Sequence, residues 1–211
     1  MHILRRSLRS HYCAKRAQGK LPLPAALCTE FSMKSDYNWL DSWAKEVRGR
    51  SVLELGAGTG IDTQILRSIS SNLKATDLVK NDLLKIEELD HSEPLPYESN
   101  SFDVVVASLC LHYFGWSKTE EIISEIYRVL TPGGMLLGRV NSKNDINYGA
   151  TGYPKLESNF FSVNNQSKRF FDKSDLRRLF KKKWDISFLE EKTIDRYSMP
   201  KTILEFAAVR A

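Results

Sequence analysis

The chain has 211 residues, 42% of them hydrophobic and 27% charged, which is the composition of one ordinary globular α/β domain and leaves little room for two. Its net charge of +5 comes from six bases in residues 1–29, whereas the other 182 residues carry 25 bases and 26 acids, which argues against a nucleic acid partner. No apolar run approaches the roughly 20 residues of a transmembrane helix, and the three scattered cysteines predict neither a disulfide framework nor a metal site.

Residues 1–32 are predicted to be a basic N-terminal extension ahead of a folded domain, residues 33–211. The first 29 residues contain arginines and serines but no acid, which is typical of an organelle transit peptide. A disordered basic tail, or a start of translation at Met33, explains the same pattern. The sequence therefore predicts a cytoplasmic protein, or a mitochondrial matrix protein if the extension is a targeting segment.

Predicted helices and strands alternate along the domain. An amphipathic helix begins near Asp36, carries Trp39 and Trp43 on its inner face and ends near Gly49. The predicted strands are Ser51–Leu55, Leu73–Asp77, Phe102–Ser108, Met135–Val140, Trp184–Glu190 and Ile203–Val209, and the further helices are Asp62–Ile69, Thr119–Leu130 and Ser174–Lys183. Such alternation predicts an α/β fold with a parallel sheet and helices on both faces.

One segment, Ser142–Phe171, has no clear periodicity. It is about thirty residues of mainly Asn, Gly, Ser and aromatic side chains, and loops of that length in compact domains are usually binding elements or disordered. Its aromatic residues, among them Tyr148 and Phe160, favour an ordered loop. We predict that this loop and the helix of Trp39 and Trp43 cover a ligand.

The stretch VLELGAGTG, residues 52–60, joins a strand to a glycine loop. A dinucleotide-binding loop has the spacing G-x-G-x-x-G, whereas here the third glycine position is occupied by Ile61. A pyrophosphate would meet Glu54 before the loop and Asp62 after it, with no base in the loop to compensate. The acids predict a ligand that lacks phosphate and carries positive charge, and they argue against an NAD-dependent oxidoreductase.

S-adenosylmethionine is such a ligand, and four stretches of this chain resemble the class I methyltransferases that use it, most closely their type 11 branch. VLELGAGTG resembles the family's first motif, and the others, in the family's order, are ATD (75–77), DHSEPLPYESNSFDVVVAS (90–108) and IYRVLTPGGMLL (126–137). The resemblance implies a single-domain Rossmann-like fold with a seven-stranded, mostly parallel sheet, helices on both faces and an antiparallel final strand.

The resemblance also implies the cofactor site. Glu54 would lie near the methionine amino group, and the backbone of Gly56, Ala57, Gly58 and Gly60 near the methionine and ribose. Asp77 would accept the ribose hydroxyls beside Leu78, Asp90 and His91 would contact the adenine, and Ser108 and Leu109 would lie below the sulfonium. One feature departs from the family: only 13 residues separate Asp77 from Asp90, so the helix and strand between them must be shortened, within Leu83–Leu89.

The acceptor is less clearly marked. His112, just past the fourth strand, is a candidate base, although a packed or capping histidine is the plain alternative. The Asn/Asp-Pro-Pro-aromatic motif of nucleobase methyltransferases is missing there. Two or three of five polar residues could clamp an anionic acceptor, and the plain alternative is surface charge: Arg139, Asn141, Asp145, Lys168 and Arg169. We predict methyl transfer to a small molecule; the alternatives are a non-catalytic methyltransferase-like subunit and an NAD-dependent oxidoreductase.

Overall fold

The computed structural model describes residues 39–211, so the predictions for the N-terminal extension and for the helix start at Asp36 lie outside the described residues. A 3-10 helix, Trp39–Trp43, leads into α1 (Ala44–Val47); the other helices are α2 (Ile61–Ile69), a 3-10 turn (Leu111–Tyr113), α3 (Trp116–Val129) and α4 (Lys173–Leu179). The strands are β1 (Ser51–Leu55), β2 (Asn72–Asp77), β3 (Ile86–Glu88), β4 (Phe102–Ser108), β5 (Leu130–Asn141), β6 (Lys155–Glu157), β7 (Phe160–Val163), β8 (Gln166–Arg169), β9 (Trp184–Ile194) and β10 (Lys201–Arg210).

Seven strands form the main sheet, in the order β3-β2-β1-β4-β5-β10-β9. The pairs from β3 to β5 are parallel, and β10 is antiparallel to both β5 and β9. The predicted fold class is thereby confirmed, including the antiparallel final strand. Because the chain turns to opposite sides after β1 and after β4, the carboxyl ends of these two neighbouring strands border a cleft, where open α/β sheets bind ligands.

Helices cover both faces of the sheet. Apolar side chains of α3 and α4, such as Ile126 and Leu176, pack with Leu55 and Val105 in one buried core. On the opposite face, Leu40 and Val47 from the first helical segment and Leu66 from α2 pack with Val52, Val104 and Val106 in a second core. Because side chains alternate along each strand, residues that are neighbours in sequence belong to different cores.

The connection between β2 and β3 contains no helix, whereas a shortened helix was predicted there. Strand β3 lies inside the predicted segment Leu83–Leu89, but no helix precedes it; residues 78–85 form turns instead. Asn81 and Ile86 exchange two backbone hydrogen bonds of 2.9 Å that close the loop. Too few residues separate the two strands for the helix that usually links a parallel pair.

The Ser142–Phe171 segment contains a small antiparallel sheet, β6-β7-β8, where no regular structure was predicted. Strands β7 and β8 are joined at Asn164 and Asn165, both of which have positive φ, the conformation of a tight hairpin turn. The two ends of the segment lie side by side, because the Phe171 amide donates to the Asn141 carbonyl at 2.8 Å. The segment is therefore an ordered insertion after β5.

Within residues 39–211, no helix is long and apolar enough to cross a membrane.

Candidate functional site

The glycine loop lies at the carboxyl end of β1. Gly56 has a φ of +68°, and a Cβ added there would lie 2.4 Å from Cys110 Cβ, so only glycine lets the loop approach the segment after β4. Gly58 has a φ of +56° with open space where a Cβ would be. Gly60 differs: a Cβ there would meet Leu84 Cδ1 at 2.6 Å, so this glycine serves packing. The loop therefore leaves room for a ligand at Gly58.

Asp77 ties the end of β2 to this loop. Its Oδ2 accepts a hydrogen bond from the Gly58 amide at 2.8 Å, and its Oδ1 accepts one from the Val79 amide at 3.0 Å. The next residue, Leu78, is 56% exposed beside the cleft. A half-buried carboxylate thus lies directly against the open side of the glycine loop.

Glu54 is only 2% exposed and lies below the loop. Thr63 Oγ1, from α2, donates to its Oε2 at 2.7 Å. Burial raises the pKa of the Glu54 carboxyl to about 7; the Thr63 hydrogen bond opposes this rise and the negative charge of Asp62 adds to it. The group therefore titrates near neutral pH, and a cation nearby would favour its ionised form.

Asp90 and His91 follow β3 at the same edge of the sheet. The Leu89 amide donates to the Asp77 carbonyl at 2.8 Å, which brings Asp90 close to the end of β2. Asp90 is exposed, and its Oδ1 accepts from the amide and the hydroxyl of Ser92. His91 is buried against Phe114, and its Nε2 has no hydrogen-bond partner in the described part of the chain. Burial lowers the pKa of this imidazole.

An ion-pair cluster lies where α2 begins, across from the end of β4. Arg139 is 1% exposed; its Nε and Nη2 donate to Ser108 Oγ at 3.0 and 2.8 Å, and its Nη2 lies 3.2 Å from Asp62 Oδ2. Arg196 Nη1 lies 3.5 Å from the other oxygen of Asp62, and the Arg139 guanidinium stacks on Trp39 at 4.4 Å. Arg139 is therefore a buried structural cation, and the hydroxyl of Ser108, a residue predicted to lie below the sulfonium, accepts from it.

The segment after β4 turns sharply into the 3-10 turn. Leu109 has a φ of +56°, and its amide donates to the Arg139 carbonyl at 2.8 Å. His112 is 4% exposed, and its Nδ1 has no hydrogen-bond partner among residues 39–211. Burial lowers the pKa of His112 well below its ordinary value, and the charges of Lys201 and Lys168 lower it further. The imidazole is therefore neutral at pH 7.

Arg169, a second candidate for anion binding, is occupied by the insertion itself. Its three guanidinium nitrogens donate to the Phe114 carbonyl, the Ser158 carbonyl and Glu157 Oε2, the last at 2.6 Å. Glu157 Oε2 also accepts from the Trp116 amide at the start of α3. This pair holds the inserted sheet against the segment that carries His112, so Arg169 positions that segment, and each of its three nitrogens is engaged by a protein oxygen.

The carboxyl edge of the sheet thus brings together every residue predicted for the cofactor site: Glu54, Gly56, Ala57, Gly58, Gly60, Asp77, Leu78, Asp90, His91, Ser108 and Leu109. Gly60 and Ser108 face protein groups there instead of open space. Sequence reasoning missed the Lys201–Asp145 ion pair, 3.4 Å apart and buried, because nothing in the sequence shows that the lysine opening β10 is buried. Two cavities of about 360 Å3, at Thr131–Met135 and in the insertion at Tyr153, are lined by none of the residues predicted for the cofactor site.

Comparisons with known proteins agree with this geometry. Residues 53–138 match the family model described as a methyltransferase domain. A methyltransferase-like protein of Schizosaccharomyces pombe is 37% identical over 103 residues, which are 44% of this chain and 39% of that protein. A malonyl-[acyl-carrier protein] O-methyltransferase of Erwinia billingiae is 30% identical over 106 residues, which are 46% of this chain and 41% of that protein. The chain therefore spans about two fifths of the length of these curated relatives.

A solved structure with bound ligands has the same fold as this chain. The Burkholderia thailandensis 1,6-didemethyltoxoflavin-N1-methyltransferase, with bound 1,6-didemethyltoxoflavin and S-adenosylhomocysteine, superposes with a TM-score of 0.68 at 19% identity. The match covers 99% of this chain and 87% of that one. Together with the strand order and the matched motifs, these findings agree with the predicted family: residues 53–138 match the methyltransferase domain of the type 11 branch, and the chain has the fold of the class I methyltransferases.

Proposed function

We propose that the protein transfers a methyl group from S-adenosylmethionine to a small-molecule acceptor. The observation that carries this proposal is the contact between Asp77 Oδ2 and the Gly58 amide, 2.8 Å, beside open space at Gly58. A carboxylate against the glycine loop can accept from the ribose hydroxyls of a nucleoside, and the negative charge of Glu54, buried below the loop, disfavours a pyrophosphate there. S-adenosylmethionine would supply a methyl group activated by the sulfonium.

The chain's own groups would hold that cofactor along the carboxyl edge. Asp77 would accept the ribose hydroxyls, and Glu54 would lie near the methionine ammonium. The unpartnered His91 Nε2 supports a polar contact near the adenine, with Asp90 beside it. Ser108 would affect the cofactor only indirectly, because its hydroxyl accepts from Arg139. The backbone of Leu109, which is strained by its positive φ, would line the cleft below the sulfonium.

His112 is the proposed acceptor-side residue. Its neutral imidazole has an unpartnered Nδ1 that would accept a proton or hydrogen bond from the acceptor. Alignment of the acceptor with the methyl group would supply the rest of the rate acceleration, since good orientation of two reactants can lower the barrier by about 7–11 kcal/mol. A small acceptor fits the near-neutral charge of residues 30–211, and the structural neighbour from Burkholderia was crystallised with a small molecule.

Cofactor affinity is expected to rise with pH. Glu54, with a pKa of about 7 in the free protein, would be ionised in the complex by the cofactor's ammonium, so binding at lower pH must first remove a proton. The ionised fraction rises about eightfold between pH 6 and pH 7.5, below the ordinary pKa of an α-amino group, and the affinity should rise about eightfold with it. Calorimetric titration at the two pH values measures this change.

The matched variant for this pH dependence is Glu54→Gln. It keeps the shape of the side chain but has no charge, so we expect weaker binding that is flat over the same pH interval. An equal slope in the variant and the natural protein would show that another group controls the affinity.

Release of S-adenosylhomocysteine tests the activity. We expect the protein, mixed with S-adenosylmethionine and a low-molecular-weight cell extract, to release S-adenosylhomocysteine well above a protein-free control. Release with only the macromolecular fraction would contradict a small-molecule acceptor. Binding of S-adenosylmethionine without release in either fraction would favour the non-catalytic subunit.

The compartment follows from the N-terminal extension. We propose that residues 1–32 precede a domain formed by residues 33–211, in the cytoplasm or in the mitochondrial matrix. Fusion of residues 1–32 to a fluorescent protein distinguishes the two locations, since only a targeting segment would direct the fusion protein into mitochondria.

A further inference from the structure

A polar cluster of His112, Asn141, Asp145 and Lys201 lies beside the proposed cofactor site. Asn141 ends β5, His112 lies in the turn after the neighbouring β4, and Lys201 opens β10, which pairs with β5 through Ile203 and Asn141. The four residues are at most 8% exposed. The topology therefore gathers buried polar side chains at the edge of the sheet where the methyl group would be presented.

Two atoms of this polar cluster lack hydrogen-bond partners. Asn141 Oδ1 and His112 Nδ1 are both buried, and neither is bonded within the described range 39–211. A buried polar atom left without a partner costs about 1–3 kcal/mol, and such orphans usually have a functional reason. Because an amide oxygen and a neutral imidazole nitrogen can both accept, the missing ligand has hydrogen-bond donors to offer.

The charges around the polar cluster favour a ligand that becomes negative. Lys201 and Lys168 both act on His112, and the acids nearby are already engaged. Asp145 Oδ1 accepts from the amides of Asn147 and Tyr148, and its Oδ2 lies 3.4 Å from Lys201 Nζ. That ion pair is long, so the lysine, which also lies over the rings of Tyr148 and Tyr197, keeps N–H donors for a closer anionic partner.

Resting on the proposed function, we infer that the polar cluster is the acceptor site and that it takes a small oxygen acid, a molecule with a carboxyl, enol or phenol hydroxyl that is methylated on that oxygen. An acceptor with an ammonium group is disfavoured, because it would lie beside the positive charge of Lys201 and the polar cluster has no unengaged carboxylate to pair with it. An enol or phenol hydroxyl donates to His112 as it enters, and Lys201 stabilises the oxygen after it ionises, whereas a carboxylic acid enters already ionised and pairs with Lys201 directly.

The transfer step balances with these groups alone. The proton of an enol or phenol passes to His112, whose affinity for it is raised by the new anion, and then to water; a carboxylate has already lost its proton to water. The acceptor oxygen forms a bond to the methyl carbon as the methyl–sulfur bond breaks with its electron pair on sulfur. The products are the methyl ester or ether and S-adenosylhomocysteine, and no oxidant or metal is required.

The test is the chemical position of the transferred methyl group. The full chain is incubated with a low-molecular-weight cell extract and S-adenosylmethionine whose methyl is labelled with carbon-13, and the products are examined by carbon NMR. We expect the label in a methyl ester or ether. Label only in N-methyl or S-methyl products would overturn the inference while leaving the proposed function standing. Calorimetric binding of the cofactor without any product would overturn both.

Variants connect the product to the polar cluster. Replacing Lys201 by methionine removes a charge-assisted hydrogen bond to the acceptor. The concentration of extract that gives the half-maximal rate should therefore rise on the order of 10- to 100-fold. The affinity for the cofactor should not change. Asn141→Leu, which keeps the Lys201–Asp145 pair intact, should raise it as well and covers the case that Lys201→Met does not fold. Lys182→Met, at an exposed position in the turn before β9, is the control and should change nothing. Unchanged values in both variants would contradict the assignment.

Discussion

Replacing Asp62 by alanine is expected to lower the free energy of unfolding by about 3–5 kcal/mol, because it leaves the buried Arg139 without its counterion. The side chains of Arg139 and Asp62 are 1% and 6% exposed, so water cannot replace the lost carboxylate. Arg196 would lose the same partner. Urea unfolding at neutral pH measures the change, which exceeds that of most single substitutions.

The matched control is Glu121→Ala. Glu121 pairs with Lys118 on the surface of α3, where the two side chains are 60% and 44% exposed. Surface pairs of this kind contribute little, so the unfolding curve should hardly move. If Asp62→Ala and Glu121→Ala shift the curve equally, the cluster of Arg139, Asp62 and Ser108 does not support the cleft as described.

Replacing Asp77 by asparagine should weaken S-adenosylmethionine binding about 100-fold. Each hydrogen bond from a ribose hydroxyl to a carboxylate contributes about 1.5–3 kcal/mol, and asparagine has only one neutral acceptor oxygen for two hydroxyls. That oxygen can still accept from the Gly58 amide, so the hydrogen bond that holds the glycine loop to the end of β2 is retained. Calorimetric titration gives the two dissociation constants.

Asp82→Asn is the control for this charge change. Asp82 lies in the turn after β2 and pairs with Lys80 in solvent, with its side chain 79% exposed. Removing its charge should leave cofactor affinity unchanged. Equal affinities of the natural protein and Asp77→Asn would instead place the ribose away from β2.

The parts of the fold that the sequence predicts best are those where apolar runs and glycine spacing act locally. Strands β1 and β4 have the predicted bounds because both are continuous buried runs between polar turns. The resemblance to the class I methyltransferases implied the glycine loop and Asp77 as site residues, and both lie at the carboxyl edge of the sheet, where the Gly58 amide donates to Asp77. This covers the core of the proposed cofactor site.

The remaining features depend on which strands pair, and local patterns do not contain that information. Arg139 resembles a surface charge until its register partner Ser108 is known. Strands β6 and β8 are short and polar, so no hydrophobic alternation marked the inserted sheet. Lys201 and Asp145 lie 56 positions apart, and only the antiparallel return of β10 brings them together.

The most direct test of the central claim is calorimetric titration of the protein with S-adenosylmethionine and, separately, with NAD. A glycine loop flanked by Glu54 and Asp77 should bind the sulfonium nucleoside with micromolar affinity and give no heat with the dinucleotide. Binding of NAD without binding of S-adenosylmethionine would contradict this account and assign the loop to a pyrophosphate.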